Sequence, residues 1–370
     1  MDPRIKKLAK ILVKYSCELK KDENTLIHCY GATPLPLVRE LVKEVYAVGA
    51  IPYVTLKDDS VLREVIKGCR KDQLTLMTRH DMEQMKDMDA FIGIRAHDNV
   101  NELGDLPGEK MNQYMKDYSS TVQDERVANT KWVVLRWPNN SMAQLAGTSL
   151  ETFEDFYFDV CTIDYSKMSK AMDSIINLMD KTDKVHIKGP GTDLTFSIKG
   201  IPTIKASGER NIPDGEVFTA PVRDSVNGNL TFNTPAVFQG ITYDNIYFEF
   251  KKGKITYATA NFTDRINKVL DTDEGARYLG EFAIGLNPFI TDAMKDPLFD
   301  EKIMGSIHLT PGKCYDETEN NNSSSIHWDL VLIQTPEQGG GEIYFDDKLI
   351  RKDGRFVTPD LECLNPENLK

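Results

Sequence analysis

The feature that most constrains the fold is a change in the spacing of apolar residues partway along the 370-residue chain. In the first half, short apolar segments at 25–29, 51–56, 90–95 and 131–136 alternate with segments of helical period. This alternation is typical of crossover units on a parallel sheet, because a parallel connection needs a return of helical length. Residues 1–182 are therefore predicted to form a doubly wound α/β domain.

After Lys184, apolar and polar residues alternate with period two, and turns rich in Gly or Pro separate the segments. Such alternation is typical of antiparallel strands that bury one face. Residues 183–370 are predicted to form a mostly antiparallel β domain of α+β character, built as an open sheet or a barrel. A length of 370 residues also suggests two domains.

Composition excludes several classes of partner. The formal net charge of −12 argues against nucleic acid, whose phosphates require clustered Lys and Arg. Lysines interrupt the N-terminal amphipathic helix, so it is no signal peptide, and no apolar run reaches the roughly 18 residues of a membrane span. Membrane binding is not expected, and the cytoplasm is the default location. Six scattered cysteines without a CxxC indicate neither a zinc ribbon nor a disulfide framework.

Motifs of common enzyme mechanisms are missing from the sequence. It contains no GxxxxGK[ST] phosphate loop, no GxSxG nucleophile elbow and no HExxH zinc helix. Nucleotide hydrolysis by a P-loop, serine hydrolysis on an α/β-hydrolase fold and a zincin mechanism are therefore not supported.

The last two of the six histidines, His308 and His327, lie 19 residues apart in a region dense with acids. Glu216 follows a Pro-Asp-Gly turn, Glu281 follows a glycine, and Glu301 precedes His308 by seven residues. Taken singly, each of these is more often a turn residue or a hydrogen-bonding group than part of a site. A mixed set of carboxylates and imidazoles is nevertheless what a two-metal hydrolytic site uses.

His327 and Asp329 lie two residues apart in an apolar segment predicted as a strand. Residues at i and i+2 of a strand point to the same face, so the imidazole and the carboxylate would lie side by side. Together they are plausible ligands for a divalent metal such as zinc.

In combination and in this order, these segments resemble the aminopeptidase T and aminopeptidase S family of metallo-aminopeptidases, also called thermophilic-type aminopeptidases. The resemblance runs through the C-terminal half, where Tyr315 also fits the pattern. One departure follows His308, where the family usually reads close to Ile-Ala-Leu-Gly and this chain has Leu-Thr-Pro-Gly. The matching stretches are residues 211–221, 279–281, 300–308 and 325–329.

The resemblance implies two divalent metal ions (zinc, cobalt or magnesium) and peptide substrates with a free N-terminus. Glu301 would be the general base, and Tyr315 would bind a metal or donate to the oxyanion. The second domain would be catalytic, and the first would shape access and the contacts of a homodimer. The implied metal ligands are Glu216, Glu281, His308, His327 and Asp329.

Two alternatives stay open from the sequence. One is a metal-dependent amidohydrolase that acts on a non-peptide substrate. The other is a non-enzymatic ligand-binding protein with a vestigial site, against which the presence of all seven candidate residues argues.

Overall fold

A computed structural model describes residues 2–370. The chain divides into two compact units, of which the first ends at Thr162 and also includes Gly208–Ile212. The second unit comprises Ile163–Ser207 and Pro213–Lys370. This division lies earlier than the sequence-based boundary at 182/183, because the last helix before that boundary packs on strands of the second unit.

The first unit contains a five-stranded sheet and eight α-helices. Its helices are α1 (Pro3–Ile11), α2 (Leu35–Ala47), α3 (Asp59–Gly68), α4 (Lys71–Lys86), α5 (Gly108–Tyr114), α6 (Ser120–Asn129), α7 (Asn140–Leu145) and α8 (Leu150–Cys161), with π-helical turns at Leu12–Ser16 and Met115–Ser119. Its strands are β1 (Asn24–Tyr30), β2 (Ile51–Lys57), β3 (Ala90–Arg95), β4 (Lys131–Arg136) and, from the returning segment, β8 (Asn211–Ile212).

The strands pair in the order β2-β1-β3-β4-β8, and every pair is parallel. The strand order reverses direction between β1 and β3, which makes the carboxyl ends of these two strands a topological switch point. Strand β3 is buried from Ala90 to Ile94, as a central parallel strand must be when helices cover both faces. The predicted doubly wound α/β architecture is confirmed.

The second unit is mostly antiparallel. Its helices are α9 (Tyr165–Met179), α10 (Thr263–Leu270), α11 (Pro297–Asp300) and α12 (Pro366–Leu369). Its strands are β5 (Lys184–Gly189), β6 (Thr192–Ser197), β7 (Ile204–Ala206), β9 (Glu216–Thr219), β10 (Asn227–Thr231), β11 (Ala236–Phe238), β12 (Ile241–Tyr243), β13 (Tyr247–Lys251), β14 (Lys254–Thr259), β15 (Leu279–Gly285), β16 (Ser306–Pro311), β17 (Leu330–Ile333), β18 (Glu342–Phe345), β19 (Lys348–Lys352) and β20 (Arg355–Phe356).

Two sheets and one hairpin organise these strands. The larger sheet has the order β14-β13-β10-β6-β5-β18-β19-β20, the smaller has the order β17-β16-β15-β9-β7, and β11 pairs with β12. All residues of β15, β16 and β17 are buried, so the smaller sheet lies in the interior of this unit. Helix α9 packs against β7 and β9, which explains why it belongs here. The predicted antiparallel character is confirmed.

Within residues 2–370, no helix has both the length and the apolar character that crossing a membrane requires.

The hairpin between β13 and β14 shows how local sequence sets the register. Lys251 pairs with Lys254, so the loop consists of Lys252 and Gly253, with φ angles of 48° and 82°. Two positive φ angles favour a tight hairpin turn whose twist matches that of the strands. A Cβ on Gly253 would lie 1.9 Å from the carbonyl oxygen of Arg223, so the backbones approach too closely for any side chain.

Replacing Gly253 by alanine is therefore expected to destabilise the second unit beyond the cost of the positive φ alone. Gly200→Ala is the matched control, because Gly200 has a φ of 77° and open space around its Cα. We expect Gly253→Ala to lower the free energy of unfolding by about 1–3 kcal/mol more than the control does, since it adds overpacking to the same backbone strain. Urea unfolding of both variants measures the difference, and equal losses would contradict this explanation.

Candidate metal centre

Three adjacent strands of the smaller sheet bring the first three candidate ligands together. Glu216 begins β9 opposite Gly285 of β15, and His308 of β16 lies opposite Ala283. Glu281 lies two residues before Ala283 and therefore on the same face of the sheet. The Nε2 atom of His308 lies 3.4 Å from Oε1 of Glu281 and 3.7 Å from Oε2 of Glu216.

His327 and Asp329 join this group from the neighbouring chain segment. Nε2 of His327 lies 3.3 Å from Oε2 of Glu281 and 3.3 Å from Oδ1 of Asp329. The predicted strand over these residues is shorter than expected, because regular pairing begins only at Leu330. The partner strand β16 ends at Pro311, which has no N–H to continue the ladder, and His327 makes only an isolated bridge.

The carboxylate of Glu281 therefore lies between two pairs of candidate metal ligands, one with His308 and one with His327. One of its oxygens faces His308, and the other faces His327. Two ligands that each lie about 2.1 Å from one tetrahedral ion are roughly 3.4 Å apart, close to the distances here. Glu281, His327 and Asp329 also offer atoms that all lie within 4.8 Å of one another, as shared coordination requires.

Unpartnered polar atoms point to a missing positive charge. Among the described residues, Oε2 of Glu216 and Nε2 of His327 are buried and have no hydrogen-bond partner. The other ring nitrogen of His327 lies 2.8 Å from the carbonyl oxygen of Lys313, to which it donates. Such a hydrogen bond fixes the tautomer and leaves the Nε2 lone pair available for a metal. The donor set of carboxylates and imidazoles fits a divalent ion.

Lys302 is a residue of this site that the sequence analysis missed. Its side chain is completely buried, with Nζ 3.2 Å from Oε1 of Glu216 and in contact with Oε2 of Glu301. Burial alone would lower its pKa, but the charges of Glu216 and Glu301 hold that pKa well above its usual value. Only its position beside Glu301 could have indicated the role, because a lysine between acids is usually solvated.

Glu301 lies at the end of α11, close to the ligand cluster. Burial raises the pKa of its carboxyl group well above the usual value, while the ammonium of Lys302 opposes that rise. A cavity of about 20 Å³ is lined by Glu301 and Asp329. That volume is about what one water molecule requires.

Tyr315 lies at the rim of the site and is 44% exposed. Its ring centroid is 4.9 Å from that of His327 and 5.4 Å from that of Phe218. Burial, and then the charge of Glu281, raise the pKa of its hydroxyl well above the usual value. All seven candidate residues of the sequence analysis thus belong to one neighbourhood of the second unit.

The carboxylates set the charge of the centre. Burial alone would lower the pKa of His308, but the hydrogen bond to Glu281 and the charge of Glu216 raise it to about 9. For His327, the charge of Asp329 overcomes the effect of burial and raises the pKa to about 12. Two buried carboxyl groups, Glu216 and Glu281, and two half-buried ones, Glu301 and Asp329, thus lie in one cluster with the ammonium of Lys302.

Thr310 is a second residue that the sequence analysis did not select. It lies in β16 at the position where the chain departs from the family pattern, and its Oγ1 donates to Oδ1 of Asp329 at 2.6 Å. Burial would raise the pKa of Asp329, yet the charge of His327 and this hydrogen bond hold it well below its usual range. Thr310 thus orients the carboxylate toward His327.

Comparison with known proteins agrees with this geometry. The family model described as thermophilic metalloprotease (M29) matches residues 1–356. The chain belongs to the M29 family. It is therefore a member of a metallo-aminopeptidase family of hydrolases, and the resemblance inferred from the sequence is confirmed.

Individual relatives in the M29 family carry related names. Aminopeptidase T of Thermus thermophilus is 35% identical over 203 residues, which cover 47% of this chain and only 49% of that protein. Aminopeptidase PepS of Streptococcus thermophilus is 25% identical over 89% of this chain and 91% of its own length. Aminopeptidase 2 of Geobacillus stearothermophilus is 25% identical over 96% and 95%.

Solved structures show the same fold. Wild-type AmpT from Thermus thermophilus superposes with a TM-score of 0.81 at 21% identity, covering 96% of this chain and 99% of that one. A dihydroxypyridine dioxygenase from Pseudomonas putida KT2440 reaches 0.61 at 14% identity, covering 97% and 98%. The fold of the M29 chain is therefore shared with an enzyme named for a different activity, and the chemistry must be argued from the site.

Removing the hydroxyl of Thr310 is expected to weaken metal binding. Thr310→Val keeps the shape of the buried side chain but leaves Asp329 without its donor, and losing such an orienting partner typically costs about 10–100-fold in metal affinity. Thr310→Ser restores the donor and should bind zinc nearly as the wild type does. Competition with a zinc-chelating dye measures both affinities, and equal affinities for Val and wild type would show that the hydrogen bond does not orient a ligand.

Proposed function

We propose that this protein is a metal-dependent aminopeptidase that removes N-terminal residues from peptides by means of two divalent ions. The observation that carries the proposal is the buried Glu281 carboxylate, whose two oxygens face two different histidines. A carboxylate that bridges two ions presents one oxygen to each of them.

Each oxygen of Glu281 belongs to a set of three candidate metal ligands. Glu216 and His308 accompany one oxygen, and His327 and Asp329 accompany the other. Three protein ligands leave a position open for water or substrate, as catalytic sites require. Mixed imidazole and carboxylate donors favour zinc or cobalt, and magnesium is the harder alternative.

The proposed mechanism is hydrolysis of the first peptide bond. Divalent ions at this site would polarise the scissile carbonyl and lower the pKa of a water molecule, which provides a nucleophile at neutral pH. Glu301 accepts the proton of that water and passes it to the leaving amine. Lys302 contacts one oxygen of Glu301 and keeps the other directed at the centre. Tyr315 donates to the developing oxyanion from the rim.

The choice of aminopeptidase over a non-peptide amidohydrolase rests on the relatives, which are named aminopeptidases. In this proposal residues 183–370 bind the metals and perform the chemistry. Residues 1–182 shape substrate access and contribute to a homodimer in the cytoplasm, as the family resemblance implies.

Cleavage should require both a bound metal and a free substrate α-amine. We expect the zinc- or cobalt-loaded protein to release the arylamine from a panel of aminoacyl-arylamides, and to lose this activity after a chelator removes the metal. N-acetylated versions of the same substrates should resist cleavage. Full turnover after chelation, with metal loss verified by elemental analysis, would exclude the metal mechanism. Equal rates on acetylated substrates would instead indicate an endopeptidase or an amidase.

Two substitutions should separate catalysis from metal binding. Glu301→Gln is nearly isosteric and should retain metal, but loss of proton transfer should reduce kcat by about 10²–10⁴-fold. His308→Ala removes a ligand and should lower metal occupancy. Elemental analysis and turnover of both variants provide the measurement. Near-normal turnover of Glu301→Gln would place the base elsewhere, and loss of metal from it would make Glu301 a ligand.

A further inference from the structure

The first unit contains a cavity of about 380 Å³ that the metal chemistry does not use. Strands β1 and β3 line it on one side, and helices α4 and α6 line it on the other. Pockets for small molecules occupy about 300–1,000 Å³, so the volume of this cavity is large enough for a small-molecule ligand.

A glycine in the middle of β3 lines this space. Gly93 lies in the sheet beside His28 of β1. A Cβ on Gly93 would approach Cε1 of Phe91 to 2.7 Å and the side chain of Val134 to 3.2 Å. Any larger residue at this position would therefore displace the neighbouring side chains that border the cavity.

Three cations border the cavity. Lys57 and Arg95 are the last residues of β2 and β3, and both lie in register with Tyr30 at the end of β1. Arg126 is contributed by α6. The carboxyl ends of parallel strands at a switch point are where open α/β sheets bind their ligands. The cations thus lie where this type of sheet places a ligand.

Carboxylates do not neutralise these cations. Within residues 2–370, Lys57, Arg95 and Arg126 form no ion pair, and Nε of Arg126 is buried without a hydrogen-bond partner. Asp81, the one carboxylate among the lining residues, accepts a hydrogen bond from the Tyr118 hydroxyl. The cavity therefore has an excess of positive charge, although the chain as a whole carries −12.

Neighbouring groups respond to that excess. Burial, and then the charges of Lys57, Arg95 and Arg126, lower the pKa of His28 to about 3. Burial and the charge of Arg95 lower the pKa of Arg126 to about 10. These shifts support the geometric observation that the three cations act on one shared space.

Aromatic rings line the same cavity. The guanidinium of Arg126 stacks over the ring of Phe91, 4.6 Å from the ring centroid. Tyr114 and Tyr118 pack with their centroids 5.2 Å apart. Rings and guanidinium planes together favour a ligand that has both a flat apolar part and an acidic group.

We infer that this cavity binds a small organic anion, whose phosphate or carboxylate group is held by Lys57, Arg95 and Arg126 and whose aromatic part lies against the lining rings. The planar fork of arginine matches both kinds of acid in a bidentate geometry. The inference is independent of the proposed aminopeptidase activity, because the metal centre belongs to the second unit.

Calorimetric titration of the whole protein tests this inference in a buffer that contains a chelator. Phenyl phosphate and benzoate are the two anionic probes, and benzyl alcohol is the neutral control. We expect at least one anion to bind with a Kd below about 1 mM, as expected for a small ligand with a charged anchor, and benzyl alcohol to bind at least tenfold more weakly. The stronger of the two anions identifies the preferred acidic group.

Variants locate the binding site. Arg95→Gln and Arg126→Gln should each weaken the anion at least about tenfold, because a hydrogen bond to a charged group is lost. Arg70→Gln is the matched control, since Arg70 is exposed in the same unit and pairs with Asp72. His308→Ala tests the metal centre. Both of these variants should bind as the wild type does.

Three outcomes would overturn the inference: no binding of either anion to the wild type, unchanged affinity in Arg95→Gln, or loss of binding in His308→Ala. Arg126 packs on Phe91, so Arg126→Gln could disturb folding, which thermal unfolding would reveal. Arg95→Gln then decides the question, because Arg95 is exposed at the end of its strand and its replacement removes no ion pair. Failure of peptide hydrolysis has no bearing on this titration.

Discussion

The contact on which the metal centre depends is that between the buried carboxylate of Glu281 and the two histidines on either side of it. Antiparallel pairing of β15 with β16 places Glu281 near His308, and His327 approaches from the segment that precedes β17. Shifting β15 by one residue would turn Glu281 to the opposite face of the sheet. Burial on both faces of these strands opposes such a shift, because it would exchange the side chains of two closely packed faces.

A local irregularity gives Glu281 its direction. The pairing of β15 with β16 shifts register between Leu279 and Glu281, so Gly280 forms a bulge. A Cβ on Gly280 would lie 2.4 Å from the carbonyl oxygen of Lys313, so the two chains approach as only glycine allows. Bulges next to functional sites commonly redirect a side chain. The carbonyl of Lys313 is also the acceptor for His327, so the same close approach orients both residues.

The sequence was sufficient to predict the two architectures, because apolar period reports directly on which faces are buried. It also grouped His327 with Asp329, although the regular strand begins only at Leu330. The grouping was correct although the predicted strand began too early, since an extended segment places residues i and i+2 on one side even without ladder pairing. The sequence did not predict the roles of Lys302 and Thr310. The role of Thr310 depends on pairing across strands, and that of Lys302 depends on burial of a residue type that is usually exposed.

The charges that lack a partner within each unit are the most informative part of the structure. In the second unit, two buried and two half-buried carboxyl groups lie in one cluster with the ammonium of Lys302, and burying such charges without compensation costs several kcal/mol each. In the first unit, the cavity has the opposite imbalance, since its three cations form no ion pair with any residue that the structure describes. Neither excess follows from the net charge, which averages over the surface. An imbalance of charge within a folded chain costs stability, most of all where the charges are buried, and a bound ion of the opposite sign offsets that cost by mass action. The sign of each imbalance therefore supports the class of ligand proposed for each place: divalent cations between Glu216 and Asp329, and an organic anion between Lys57 and Arg126.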